Sequence, residues 1–206
     1  MKNILILFAH PRLERSRANK ALIEGIRGMD GVTVHDLYEH YPDFNIDIAA
    51  EQQLLERHDT IIWQHPFYWY SCPPVLKQWI DLVLEFGWAY GPEGQALAGK
   101  RCLQIITTGG SRQVYCAAGH NRYTINEFLR PFEQTARLCR MDYLPPFAVM
   151  GTHRFTPSDL ARFAQQYRKI IDYLQRDESL AQLAECVFQT DLPDLSFPHK
   201  IPIVMT

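Results

Sequence analysis

The residues best suited to chemistry lie in three short stretches, and the first follows an apolar run near the amino terminus. This loop, Phe8 to Asn19, ends in Ser16-Arg17-Ala18-Asn19, where a helical pattern begins. A helix amino terminus leaves backbone N–H groups unpaired and carries a partial positive charge, so it favours anions. The stretch predicts a phosphate site; alternatively, Ser16 only caps the helix and Asn19 lies on the surface.

The second stretch is the most aromatic part of the chain and follows another apolar run. It contains Phe67, Tyr68, Trp69 and Tyr70, and Pro73-Pro74 then favours a helix start. Leaving four large aromatic rings in contact with water would cost free energy, so they are expected to be covered. Either they pack on one another or they form a flat wall for a planar ligand, which is the interpretation favoured here.

The third stretch, Thr107-Thr108-Gly109-Gly110, also follows an apolar run. Paired glycines let a ligand approach the backbone closely, and the threonines add hydroxyl groups; a simple tight turn is the alternative. Tyr115 and His120 come shortly afterwards, and both side chains can donate protons.

Strand-length apolar runs alternate with helical patterns, which predicts an α/β fold with an open parallel sheet covered on both faces. Five strands favour the flavodoxin-like order 2-1-3-4-5. In that order strands one, three and four are neighbours, so the three stretches should converge at one sheet edge. The predicted strands are Asn3 to Ala9, Val32 to Leu37, Asp59 to His65, Arg101 to Thr107 and Tyr143 to Met150, the last interrupted by Pro145-Pro146.

Composition narrows the function classes. A net charge of −2 with a pI near 6.4 and scattered basic residues argues against nucleic-acid binding. The first apolar stretch is too short for a signal peptide or a membrane span, so a soluble, cytoplasmic protein is expected. The five cysteines show no zinc spacing and favour free thiols in a reducing compartment, with no metal site.

A phosphate site, an aromatic wall and close backbone donors together fit flavin mononucleotide (FMN) better than a dinucleotide. No dinucleotide-binding glycine motif, phosphate-binding P-loop or nucleophile elbow is found. The short first loop also favours FMN over FAD.

The chain resembles the flavodoxin-like NAD(P)H:quinone oxidoreductases related to DT-diaphorase, and among them the ancillary flavoproteins of the Kef glutathione-gated potassium efflux systems. The resemblance covers about Met1 to Arg176. The motifs that carry it are Ala9-His10-Pro11 with Ser16-Arg17-Ala18-Asn19, Tyr41-Pro42-Asp43-Phe44 with Ile46-Asp47, Gln64-His65-Pro66 with Trp69-Tyr70-Ser71, Leu76-Lys77-Gln78-Trp79-Ile80-Asp81, Gly87-Trp88-Ala89-Tyr90-Gly91, and Thr107-Thr108-Gly109-Gly110.

The resemblance implies a homodimer in which NADH or NADPH reduces a bound flavin, leaves, and is replaced by a quinone that takes both electrons. It implies that His10 and Ser16 to Asn19 hold the flavin phosphate, while Phe67 to Tyr70 and Thr107 to Gly110 hold the ring system. Tyr115 and His120 match residues that assist the redox step in the family. It also implies peripheral contact with a Kef-type transporter at the inner face of the membrane.

Three functions remain open on the sequence: a quinone reductase, a regulatory subunit of a potassium efflux transporter, and a flavin electron carrier. The flavin-binding domain is expected over residues 1–176, followed by an extension, 177–206, with a short helix at Leu180 to Phe188. This extension is longer than expected for the Kef ancillary proteins. The loop Tyr38 to Ala50, rich in aromatic residues and aspartates, either has a role at an interface or on the substrate side, or is an ordinary surface loop held by Tyr41, Phe44 and Ile46.

Overall fold

The computed structural model describes residues 1–176. The predicted extension 177–206, including the helix at Leu180 to Phe188, lies outside the described residues. Within them a parallel sheet has the strand order β2-β1-β3-β4-β5, and β6 also pairs with β4. The predicted flavodoxin-like order is therefore confirmed. The strands are β1 Ile4–Phe8, β2 Val32–Asp36, β3 Thr60–Pro66, β4 Arg101–Thr108, β5 Asp142–Tyr143 and β6 Phe147–Met150.

The predicted fifth strand is two short strands, so the sheet has six strands rather than five. Leu144 still donates its backbone N–H to the carbonyl of Cys102, at 2.8 Å. Pro145 and Pro146 follow, and proline has no N–H to donate to a ladder. The pairing to β4 is therefore interrupted there and resumes at Phe147.

Helices cover both faces of the sheet. One face packs against α1 and α7, around Leu22, Ile26, Tyr167 and Ile171, and the other against α2 to α6, around Leu55, Trp79 and Phe132. The helices are α1 Arg17–Ile26, α2 Leu37–His40, α3 Ile48–Glu56, α4 Pro74–Val83, α5 Ile125–Phe128, α6 Arg130–Leu138 and α7 Pro157–Arg176.

The helix predicted over Thr124 to Arg140 is divided into α5 and α6. Leu129 leaves helical geometry, and Pro131 occupies the first turn of α6, where a missing N–H costs nothing. In residues 1–176, no helix combines the length and the apolar character needed to cross a membrane.

Candidate functional site

The loop after β1 is joined to the end of β4 by a buried side chain. Asn19 donates its Nδ2 amide to Oγ1 of Thr107 at 3.0 Å and to Oγ of Ser16 at 3.2 Å. Ser16 caps α1, because its Oγ also accepts the backbone N–H of Asn19 at 3.2 Å. The first and third stretches thus meet, with the amino terminus of α1 between them.

Asn19 retains one polar atom without a partner. The residue is 1% exposed, and its Oδ1 atom has no hydrogen-bond partner among the described residues. A buried amide oxygen without a partner costs roughly 1–3 kcal/mol, so such an atom at a helix terminus favours a ligand that supplies a donor. A ribityl chain carries hydroxyl donors as well as the terminal phosphate.

The other residues predicted at this loop have distinct surroundings. Ala18 is buried against the sheet, and Arg17 donates to the backbone carbonyl of Phe155 at 3.0 Å, which ties the loop to the segment before α7. His10 is buried, and its Nδ1 accepts the backbone N–H of Arg12 at 3.1 Å. Burial lowers the pKa of His10, which favours the neutral imidazole.

His10 also connects the first loop to the aromatic loop after β3. Its ring centroid lies 6.2 Å from that of Tyr68, edge to face. Beyond Tyr68, both Trp69 and Tyr70 adopt left-handed backbone angles, with φ of +49° and +63°. Such angles are uncommon for large residues and mark a constrained segment. A backbone hydrogen bond from Ser71 to the carbonyl of Tyr68, at 2.9 Å, closes this turn.

The four aromatic side chains do not form one wall. Phe67 is buried and packs against Tyr115 and Phe128, with ring centroids 5.9 and 5.8 Å away. Tyr70 stacks on Phe128 at 4.9 Å. Trp69, in contrast, is 93% exposed. The exposed surface of this loop therefore comes from residues 68–70, while Phe67 supports it from beneath.

The motif just before this loop belongs to the core. Gln64 accepts a hydrogen bond from the buried hydroxyl of Tyr167 at 2.8 Å. His65 is fully buried beside Phe132, and burial lowers its pKa to about 4. These polar residues hold β3 against helices on opposite faces of the sheet and do not reach the edge.

Gly109 and Gly110 are required by close packing. A Cβ at position 109 would lie 2.2 Å from Nε2 of His153, and one at position 110 would lie 3.0 Å from Cε2 of Tyr115. Real Cβ atoms essentially never make a contact as short as the first and rarely make one as short as the second, so a side chain at either position would force its neighbour to move. The glycine backbone is consequently in direct contact with these two rings, of which Tyr115 was predicted from the sequence and His153 was not.

The segment after β6 fixes the Thr-Thr-Gly-Gly turn. Thr152 donates its hydroxyl to the carbonyl of Thr108 at 3.0 Å, and Gly151 donates its N–H to the carbonyl of Gly110 at 2.9 Å. This segment carries no distinctive motif, so the sequence did not indicate that it would lie at the site. Only its position in the predicted topology could have indicated it, because the segment follows a strand that ends at the same edge of the sheet.

Tyr115 and His120 differ in their surroundings. Tyr115 is half-buried, and burial, with a smaller effect from Tyr70, raises its pKa, so its phenol stays protonated at neutral pH. His120 is exposed on the loop between β4 and α5. Over residues 1–176, no hydrogen bond or ring contact joins His120 to another predicted site residue.

The assembled edge offers a helix amino terminus, an amide oxygen lacking a donor, exposed glycine backbone and flat aromatic surface. This set of groups fits a phosphorylated planar molecule such as FMN. Within the described part of the chain, no group of three or more His, Cys, Asp or Glu side chains is placed to hold a metal ion.

Comparison with known proteins agrees with this assignment. Residues 2–174 match the family model Flavodoxin_2, described as having a flavodoxin-like fold. KefG, a glutathione-regulated potassium-efflux system ancillary protein of Pectobacterium atrosepticum, is 51% identical over 164 residues, covering 80% of this chain and 90% of its own.

Two solved structures are also similar. General stress protein 14 of Treponema denticola, in complex with FMN, is 41% identical, with a TM-score of 0.75 over 88% of this chain and 99% of its own. An NADPH-quinone reductase of P. pentosaceus is 35% identical, with a TM-score of 0.74 over 81% and 96% of the two chains.

Proposed function

Since this chain belongs to the Flavodoxin_2 family, we propose that it is an FMN-dependent NAD(P)H:quinone oxidoreductase. The observation that carries the proposal is the hydrogen bond from Asn19 to Thr107, which joins the helix amino terminus to the Thr-Thr-Gly-Gly turn. The FMN complex of the Treponema denticola relative and the quinone reductase from P. pentosaceus support it.

Bound FMN supplies the redox chemistry, passing two electrons from the nicotinamide donor to the acceptor. The protein's contribution is to bind and orient. The amino terminus of α1 and Ser16 bind the phosphate, while the backbone at residues 68–70 and 109–110 borders the ring system. Backbone N–H groups in the Thr-Thr-Gly-Gly turn would supply the donors that negative charge on a bound flavin requires.

Tyr115 is the proton donor that the geometry favours. Its ring lies against Gly110, and its raised pKa keeps the hydroxyl proton available at neutral pH. His120 is exposed on the same loop, where it can reach a substrate from solvent. We assign Tyr115 and His120 to proton transfer to the quinone oxygen.

The proposal is tested by the absorbance of the purified protein. We expect a yellow protein whose flavin absorbance bleaches with NADPH or NADH under anaerobic conditions and returns when a quinone is added. A colourless protein that also fails to take up added FMN would contradict the proposal. An electron carrier would take up FMN but show no turnover with nicotinamide and quinone.

Substitution of the two proton donors tests their roles separately. Tyr115→Phe and His120→Ala are each expected to lower kcat for quinone by roughly 10- to 100-fold, the range typical of general acids, with FMN content unchanged. Tyr123→Phe is the matched control, because Tyr123 is an exposed phenol on the same loop. Loss of FMN from either variant would instead assign a structural role.

A homodimer is part of the proposal. The outer face of α4 borders an open depression of about 540 Å³ lined by Lys77, Gln78 and Leu82, among others. Leu82, in its lining, is 37% exposed, and Phe86, just after the helix, is 70% exposed, so two apolar side chains are available to a second copy of the chain. The mass of one chain is 24.0 kDa, and light scattering should give twice that value. A monomeric mass would contradict the proposed homodimer.

The similarity to KefG favours a second function alongside the first: an ancillary subunit at the cytoplasmic face of a potassium efflux transporter. This function predicts co-purification with a membrane transporter and altered potassium efflux when the gene is deleted. Absence of both would leave the enzyme alone.

A further inference from the structure

The charges of this protein are unevenly distributed around the proposed flavin site. The whole chain has 21 basic and 23 acidic residues. The loops after β1, β3, β4 and β6, residues 9–17, 67–73, 109–124 and 151–156, together contain one acid, Glu14, and six arginines. These arginines are Arg12, Arg15, Arg17, Arg112, Arg122 and Arg154. The site edge is therefore cationic although the protein as a whole is acidic.

Nearby acids do not cancel this charge. Glu14 is exposed and lies 3.8 Å from Arg15, a weak surface pair. Asp159, in the first turn of α7, already accepts hydrogen bonds from Thr156 and pairs with Arg162 at 3.1 Å. Asp36 ends β2, and Glu39 and Asp43 follow it, at the far end of the strand order.

The arginines belong to two sets of loops, which meet where Arg17 donates to the carbonyl of Phe155 at 3.0 Å. Arg12, Arg15 and Arg17 belong to the loop after β1, beside the helix terminus assigned to the FMN phosphate. Arg122 and Arg154 belong to the loops after β4 and β6, and both are exposed. The proposed FMN phosphate lies with the first group, and Arg112 already has an interaction partner, so Arg122 and Arg154 are left for another anion.

Arg122 and Arg154 are set on constrained backbone next to the Thr-Thr-Gly-Gly turn. Arg154 follows His153, whose ring packs on Gly109, and it donates its N–H to the carbonyl of Gly151 at 3.0 Å. Arg122 has a left-handed φ of +63° and follows Asn121, which accepts a hydrogen bond from Tyr70 at 3.3 Å. Both residues therefore lie on loops that border the Thr-Thr-Gly-Gly turn.

We infer that Arg122 and Arg154 bind the 2′-phosphate of the hydride donor, so that the donor is NADPH rather than NADH. This inference rests on the proposed function. NADPH differs from NADH by one phosphate on the adenosine ribose, and arginine binds phosphate with paired charge-assisted hydrogen bonds. A cationic rim also attracts the more highly charged nucleotide over a distance, and salt weakens that attraction.

Kinetics on the FMN-loaded protein provide the first test. At low ionic strength kcat/KM for NADPH should exceed that for NADH by about tenfold or more, and the ratio should fall as salt is added. Arg122→Gln and Arg154→Gln should each lower the ratio several-fold, and the double variant should bring it near one. A ratio near one for the unaltered protein, or an unchanged ratio in the double variant, would overturn the inference.

Arg57→Gln is the matched control. Arg57 is exposed and lies between α3 and β3, at the opposite edge of the sheet, so its removal changes net charge equally without touching the site. The nucleotide ratio should stay as in the unaltered protein. An equal loss in this variant would mean that total charge, and not the rim, selects the donor.

A binding measurement separates this inference from the proposed function. Calorimetry on the FMN-saturated protein should show adenosine 2′,5′-bisphosphate binding about tenfold more tightly than 5′-AMP, and the double variant should lose the difference. This preference does not require hydride transfer. If neither nucleotide bleaches the flavin, the proposed function fails, and the calorimetric preference still decides whether the rim recognises a 2′-phosphate.

Discussion

Asn19→Asp is expected to weaken FMN binding by about 100-fold, or roughly 3 kcal/mol, and to yield a nearly colourless protein. A carboxylate has the shape of the amide but no N–H, so the hydroxyls of Thr107 and Ser16 must donate to it where they now accept from Nδ2. The new negative charge, however, faces the same helix terminus that attracts the phosphate, and it repels that phosphate. Fluorescence titration of the flavin-free protein with FMN measures the loss.

The variant should still fold, which makes the result interpretable. Asn19 occupies the first turn of α1, where a carboxylate is favourable for the helix itself. Asn126→Asp is the control, because Asn126 also lies in the first turn of a helix, α5, but is exposed and outside the loop assigned to the phosphate. Normal FMN affinity in Asn19→Asp would mean that the phosphate is bound elsewhere.

Much of the fold could be predicted because periodicity reports directly on burial. The runs ending at Phe8, Pro66 and Thr108 are largely apolar and are buried on both sides almost throughout, as expected for strands covered on both faces. The division of the last strand and of the helix before it was harder to predict. Prolines mark both places, but whether a chain bends or breaks at proline depends on its neighbours.

The candidate site was only partly accessible from the sequence. Its first and third stretches meet as expected, through Asn19 and Thr107. Phe67 was expected on a ligand wall, yet it packs on Tyr115 and Phe128, since contacts between distant segments decide which ring of a cluster is covered. His153 was missed because nothing local to it indicates that its ring would lie on Gly109.

The loop between β2 and α3, with its many aromatic and acidic residues, packs around a buried carboxylate. Glu51 is 2% exposed and accepts hydrogen bonds from Tyr41 at 2.6 Å, from His35 at 2.7 Å and from Nε1 of Trp79 at 2.7 Å. These three donors lie in the loop, in β2 and in α4. The carboxylate thus fixes α4, the helix that follows the aromatic loop, relative to the sheet.

Glu51→Leu is expected to lower the free energy of unfolding by about 3–5 kcal/mol, because three buried donors lose their acceptor at once. Urea unfolding at a fixed protein concentration measures the change. Gln53→Leu is the control, since Gln53 is exposed on the same helix and the substitution adds the same side chain. Glu51→Gln keeps one acceptor oxygen and should therefore lose less free energy of unfolding than Glu51→Leu. It can still be measured if Glu51→Leu does not fold.

The destabilisation by Glu51→Leu should also depend on pH, in a direction set by the pKa of the Glu51 carboxyl. Burial by itself raises the pKa of the Glu51 carboxyl, but the hydrogen bonds from His35, Tyr41 and Trp79 outweigh it and lower the pKa. A lowered pKa means that the ionised carboxylate stabilises the folded protein above the unfolded pKa, about 4.3, and that this contribution is lost as the pH falls further. The difference between the unaltered protein and Glu51→Leu should therefore be largest near pH 7 and shrink below about pH 4. An equal difference at both pH values would show that packing of the side chain, and not its charge, holds α4 in place.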